Sequence, residues 1–168
     1  MVERALRQAG AADADVESAV ARFEAHYEKT VGTEAELFPG TREGIGLLRE
    51  GGYAMSVVTN KPRFFTEKLL DRLVVRDFFA ALVAGDDGLR RKPHGDMLAA
   101  ACGAMGFDAA RSLMIGDSDN DVLAARDAGC PVWCVPYGYN EGRPPETLRC
   151  DRMVATIAEA ARILTRAA

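Results

Sequence analysis

The 168-residue sequence is poor in side chains that ligate soft metals, with two histidines, His26 and His94, and four cysteines, Cys102, Cys130, Cys134 and Cys150. No two cysteines form a C-x-x-C, and Cys130 and Cys134 flank an apolar Pro-Val-Trp that reads as a buried strand. A structural zinc centre gathers four N or S ligands in closely spaced pairs, and that pattern is missing. The N-terminus, Met1-Val2-Glu3-Arg4, is charged and is not followed by an apolar run with a cleavage site. No signal peptide is therefore expected, and the cysteines are expected to be small buried thiols rather than a disulfide framework. No apolar stretch approaches the ~18 residues of a membrane span. Neither sign of charge dominates: 21 basic against 25 acidic residues leave a net charge of -4, which makes no electrostatic case for nucleic acid or anionic lipid. Internal repeats and low-complexity segments are absent as well. What remains is 48% apolar and 27% charged, the composition of a soluble, cytoplasmic domain able to bury one core.

Residues 1–38 read as helical. Val16, Ala19, Val20, Phe23 and Tyr27 make one apolar stripe just after the capping-type residues Asp13 and Asp15. Phe38-Pro39-Gly40 breaks that pattern and divides the chain into segments 1–38 and 39–168. Beyond the break, helix and strand signals alternate. Thr41 can cap a helix that stops at Gly51-Gly52, and Tyr53–Val58 is a short apolar strand. Pro62 suits the first turn of a helix that carries Phe65, Leu69, Leu70 and Leu73 inward. Further strands are expected at Ala81–Ala84, Ser112–Ile115, Val132–Val135 and Arg152–Val154, with helices over 96–105, up to Gly129, and around Ile157, Ala160, Ala161 and Leu164. Continuously apolar strands between helices predict an α/β fold, a parallel sheet with helices on both faces. Such folds place their chemistry at the carboxyl ends of the strands.

Three strand ends carry chemistry. After the first come Thr59-Asn60-Lys61-Pro62, a hydroxyl and backbone N–H groups that either cradle an anion or simply cap a helix. After the second, Arg90-Arg91-Lys92-Pro93 is either a solvated charge run or a way to aim the Lys92 ammonium at a phosphoryl oxygen. The third strand runs into Gly116-Asp117-Ser118-Asp119-Asn120-Asp121. Three carboxylates in five residues repel one another. A hard divalent cation gives them a reason to gather, whereas the plainer reading is an acidic helix N-terminus.

Together VVTNKP (57–62), RRKP (90–93) and IGDSDNDVLAARDAG (115–129) resemble the haloacid dehalogenase superfamily of aspartate-nucleophile phosphatases, in that family's order and approximate spacing. The resemblance covers 37–168. VPYGYNEGRP (135–144) looks specifically like phosphoglycolate phosphatases, and VERAL (2–6) resembles a stretch inside that family's helical cap. The resemblance implies a Rossmann-like core with a cap remnant over 1–38. It also implies Mg²⁺-dependent hydrolysis of a small phosphorylated metabolite, 2-phosphoglycolate first among them. Carried over by position, Thr59 and the backbone at Asn60 hold the phosphoryl group and Lys92 neutralises its charge. Asp117 binds Mg²⁺, and Asp121 shares the metal site by orienting a metal-bound water or the lysine. Where the family often reads Lys-Pro-x-Pro, His94-Gly95 follow Lys92-Pro93 here, which loosens the loop without removing a functional group. Dehalogenation fits poorly, because it needs no Mg²⁺ in this superfamily.

The resemblance also implies a central first strand ending in Asp-x-Asp-Gly-Thr, whose first Asp attacks phosphorus to form an aspartyl-phosphate. No such segment occurs here. Asp13-Ala14-Asp15 lacks both the feeding strand and the trailing Gly-Thr. The chain is therefore expected to be the C-terminal portion of a longer enzyme, truncated ahead of its nucleophile. The alternatives are a non-catalytic phosphate- or partner-binding relative and a half-enzyme completed by another polypeptide. Two strand edges should be left unpaired, and they are expected to close on each other, to borrow a strand from another chain or a second copy, or to aggregate.

Overall fold

Glycines and a proline punctuate the folded chain in the computed structural model, which describes residues 6–10, 12–31, 33–140 and 142–166. The chain divides into two units, one ending at Glu36 and one beginning at Leu37. In the first, α1 spans Asp13–Thr30. Its N-cap is Ala12, so Asp13 and Asp15 lie within the first turn, where their charge favours the helix dipole without a capping bond. Asp13 instead pairs with Arg7 at 2.6 Å. Only Val16 of the expected stripe is buried; Phe23 is exposed and stacks on Tyr27. The helix stops at Thr30 and residues 33–38 are irregular, which corrects the expectation of helix through 38. The VERAL stretch, apart from Leu6, lies outside the described residues.

The second unit alternates helix and strand. α2 is Thr41–Glu50, β1 Ser56–Val58, α3 Arg63–Arg72, β2 Ala81–Val83 and α4 Asp96–Ala104. β3 is Met114–Gly116, α5 Asp119–Ala128, β4 Val132–Cys134, β5 Arg152–Met153 and α6 Ile157–Arg166. Thr41 is the first residue inside α2 rather than its cap, because Gly40 takes the cap in the left-handed conformation. Pro62 caps α3 from just outside, and Gly129 closes α5 with φ 71°. Phe65 and Thr66 of α3 are buried, while its leucines are half-buried. The strands are shorter than their apolar runs because the ladders stop where the chain turns toward the next helix. Among the described residues no helix is long and apolar enough to cross a membrane.

The strands are parallel but form two sheets, β1-β2 and β3-β4-β5. Among the described residues no ladder joins β1 to β3, so the two edges have not closed on each other. Thr59 N–H donates to Val83 O and Ala80 N–H to Met55 O, which turns the backbone of Ser56 and Val58 away from β2. Likewise Met114 N–H donates to Pro131 O and Val135 N–H to Gly116 O, turning Ile115 away from β4. All residues of β1 and β3 are only half-buried, whereas Leu82, Val83, Val132 and Cys134 of their neighbours are buried. This reverses the usual order, in which inner strands of a parallel sheet are the most buried.

Leu98, Val122, Ala124, Ala125, Val132 and Cys134 form the main core, against which Val58 and Met114 both pack. Three of the four cysteines are buried. At the other side α2 and α6 cross at a glycine. A Cβ on Gly44 would lie 2.5 Å from the Ile157 carbonyl carbon and 2.7 Å from Ala158 N. Gly44→Ala is expected to destabilise by about 1–3 kcal/mol even though alanine is the better helix former. Urea unfolding should show a lower midpoint with an unchanged slope.

Candidate active site

The tip of β1 and the start of α5 are joined by one side chain. Lys92 Nζ donates to the Val58 carbonyl at 2.9 Å and to Asp121 Oδ1 at 2.6 Å. Both side chains are almost fully buried, at 11% and 4% exposure. The lysine is aimed from its own backbone: Asn60 Nδ2 donates to Lys92 O at 2.9 Å, and Lys92 N–H donates to Asn60 Oδ1 at 3.0 Å. This reciprocal pair fixes the loop after β2 to the turn after β1. Gly85 permits the approach, since a Cβ there would sit 2.1 Å from Asn60 O. The cation run splits up: Arg90 pairs with Asp96 at 2.7 Å and Arg91 donates to the Gly85 carbonyl at 2.5 Å, leaving Lys92 alone to point inward.

Asp121 is tied down from the other side. Its Oδ2 accepts from the N–H groups of Asp117 and Ser118, each at 3.1 Å, and from the Ser118 hydroxyl at 2.7 Å. Ser118 and Asp121 thus form a capping box on α5. With the lysine, one carboxylate accepts from four donors, three on Oδ2 and the lysine alone on Oδ1. Burial pushes the Asp121 carboxyl up, but the Lys92 charge and hydrogen bond, with those from Ser118 and Asp117, hold it below the ordinary carboxylate value. Asp117 goes the other way. Burial raises its pKa, the Asp121 charge adds to the rise, and the Tyr139 N–H and Lys92 only partly oppose it.

These opposite shifts give a pH test. A carboxylate held low contributes stability above its unfolded pKa of about 4, and that stability is lost as pH falls through the lower folded value. Asp121 therefore steepens acid unfolding below pH about 4, whereas Asp117 gains from being protonated. In denaturant titrations between pH about 4 and 2, Asp121→Asn should lose stability less steeply than the parent. An identical slope would contradict the assignment.

Asp117 is the residue here that fits a Mg²⁺ ion. Its Oδ2 accepts the Tyr139 N–H at 2.8 Å, no N–H or O–H of the other described residues is bonded to Oδ1, and the Asp121 carboxyl lies within hydrogen-bonding reach. Mg²⁺ commonly takes one or two carboxylates and fills its octahedron with water and substrate oxygens. Asp121, expected to orient a metal-bound water or the lysine, bonds the lysine and the loop. Asp119 pairs with Arg143. Among the described residues no three His, Cys, Asp or Glu side chains converge on a metal position.

Thr59 stands at the tip of β1, where its Oγ1 accepts the Lys61 N–H at 3.2 Å. Hydrogen bonds link Asn60 to Lys92, Lys92 to Asp121 and Asp121 to the Asp117 N–H, while Thr59 precedes Asn60 in the chain and bonds only its own turn. Sequence reasoning gave Asn60 only a backbone role and did not single out Ser118, although Ser-x-x-Asp is close to the capping-box signature. It also missed Arg63, whose guanidinium binds Asp87 through two bonds of 2.9 and 2.6 Å while its N–H donates to Asp86 at 2.7 Å. That strut fixes the start of α3 against the loop after β2.

A model of haloacid dehalogenase-like hydrolases matches residues 2–135. The chain belongs to this hydrolase family. Within the family it is 43% identical over 149 residues to a phosphoglycolate phosphatase of Thiobacillus denitrificans, covering 89% of this chain and 66% of that one. A plasmid-borne phosphoglycolate phosphatase of Cupriavidus necator is 39% identical over 168 residues, covering 99% and 73%. Among solved structures, a predicted phosphoglycolate phosphatase from Haemophilus somnus superposes with a TM-score of 0.88 at 28% identity, covering 97% and 73%. The chain thus spans about two thirds of the length of the first of these curated relatives.

Proposed function

We propose that this chain is the larger part of a cytoplasmic, Mg²⁺-dependent phosphatase that hydrolyses a small phosphomonoester, 2-phosphoglycolate, to glycolate and phosphate. The observation that carries the reading is the buried Lys92, held between the β1 tip and Asp121 beside the half-buried Asp117. The names of the relatives support the substrate. An ammonium has three donors, and two are spent on Val58 and Asp121; the third is free for a phosphoryl oxygen. The Thr59 hydroxyl and the Asn60 N–H receive the remaining oxygens. Asp117 would hold the Mg²⁺, which when bound would supply positive charge against the phosphoryl oxygens. Residues 1–38 are the remnant of a helical cap, an element that in such enzymes serves to exclude water.

The attacking carboxylate belongs to the strand that opens this family and that the sequence does not contain. The test therefore compares this chain with the same chain extended by the nucleophile-bearing segment of the Thiobacillus denitrificans relative. Phosphate release from 2-phosphoglycolate and from a panel of other phosphomonoesters is followed with Mg²⁺ and with EDTA. The extended chain should hydrolyse 2-phosphoglycolate best and only with Mg²⁺. Absence of turnover of any phosphomonoester would end the phosphatase reading, and a different preferred ester would end the substrate assignment.

A further inference from the structure

The loop after β4 grips the acidic loop from outside. A Cβ on Gly138 would lie 1.9 Å from Asp117 Oδ2, 2.1 Å from its Cβ and 2.3 Å from its Cγ. Because the Cβ is overlapped as well as the carboxylate, rotating the aspartate does not relieve the clash; Asp117 or the loop must move bodily. The next N–H, that of Tyr139, is the donor on Asp117 Oδ2. The Tyr139 ring itself is 70% exposed, so its backbone makes this contact. One residue further, the buried Asn140 accepts the Asp119 N–H on its Oδ1 at 3.2 Å, and Arg143 pairs with the Asp119 carboxylate. Asn140 Nδ2 is buried without a hydrogen-bond partner among the described residues. A buried half-satisfied amide is unfavourable for folding alone, so the residue is better explained by what its oxygen holds.

We propose that Gly138 and Asn140 are positioning residues that fix the direction of Asp117, leaving Oδ2 on the Tyr139 N–H and Oδ1 open to a divalent cation. This rests on the reading of Asp117 as a metal residue and adds what sets its aim. Gly138 supplies the close approach, Tyr139 N–H occupies one oxygen, and Asn140 ties down the N–H two residues beyond Asp117. Outer partners of metal ligands commonly change affinity by about 10–100-fold when altered.

The test uses this chain and Mn²⁺, whose paramagnetism reports weak binding by broadening nearby amide signals in NMR spectra. In the parent, Mn²⁺ should selectively broaden Asp117, Ser118 and Tyr139. Gly138→Ala should require about 10–100-fold more Mn²⁺ for the same broadening. Gly103→Ala, in α4 with open space around it, should require no more than the parent. Asn140→Ala is the second variant: in protein shown by its amide spectrum to be folded, it should likewise require more Mn²⁺ for the same broadening. Parent-like Mn²⁺ response in folded Gly138→Ala and Asn140→Ala would overturn the positioning role alone. Absence of selective broadening in the parent would overturn the metal reading of Asp117 and this inference with it.

Discussion

A Lys92→Met variant should lose about 3–5 kcal/mol of stability, because it strands a buried carboxylate without its cation. The expectation follows from burial at both ends: the lysine is 11% and Asp121 4% exposed, and their contact is 2.6 Å. A surface ion pair at the same distance would contribute less than about 1 kcal/mol. Asp121 cannot escape by turning, because its other oxygen is held by Asp117, Ser118 N–H and the Ser118 hydroxyl. The double variant Lys92→Met with Asp121→Asn should recover much of the loss. Asparagine keeps one acceptor for the α5 capping box and has no charge to strand. Chemical denaturation of the four proteins in a double-mutant cycle reads the coupling directly. Additive effects would mean that the lysine and aspartate do not depend on each other. In the extended enzyme the double variant should stay inactive even where it folds, because the free ammonium donor is gone.

What is legible in the sequence depends on the kind of feature. The order of elements was legible because apolar runs, Gly51, Gly129 and Pro62 mark their boundaries by ordinary propensity. The resemblance built on VVTNKP, RRKP and GDSDND led to the family that the comparisons identify. The Thr41 cap was misread because the left-handed conformation before α2 suits a glycine, Gly40, and not a β-branched threonine. What the lysine touches was not legible, since the spacing of Lys92 and Asp121 says nothing of a carbonyl at Val58. The grip of Gly138 on Asp117 was hidden for a similar reason. VPYGYNEGRP reads as a family signature, and only the fold shows that the first of its two glycines, Gly138, sits against a carboxylate 21 residues earlier in the chain.

The second large effect concerns the split sheet. Supplying one apolar strand ending in Asp-x-Asp-Gly-Thr should raise phosphate release from background by about 10⁴–10⁶, the usual span for gaining or losing a nucleophile. Ser56 and Val58 on β1 and Ile115 on β3 turn backbone donors and acceptors away from their own sheets, at half-buried positions where such a strand would pair. Lys92 already bridges the two sides, through Val58 O to Asp121. A strand entering there would pair both edges and carry its carboxylates to Asp117 and Lys92. Hydrogen exchange provides the structural readout. In this chain alone the Ser56, Val58 and Ile115 amides should exchange far faster than those of β2 and β4, and the extended chain should slow them by orders of magnitude. Adding the same segment as a separate peptide asks whether the strand can be donated by another polypeptide. Sedimentation of this chain alone asks whether a second copy covers the edges instead. Slow exchange at all three amides in a monomer of this chain would show that the edges are already satisfied. Activity without new protection would place the nucleophile elsewhere than between β1 and β3.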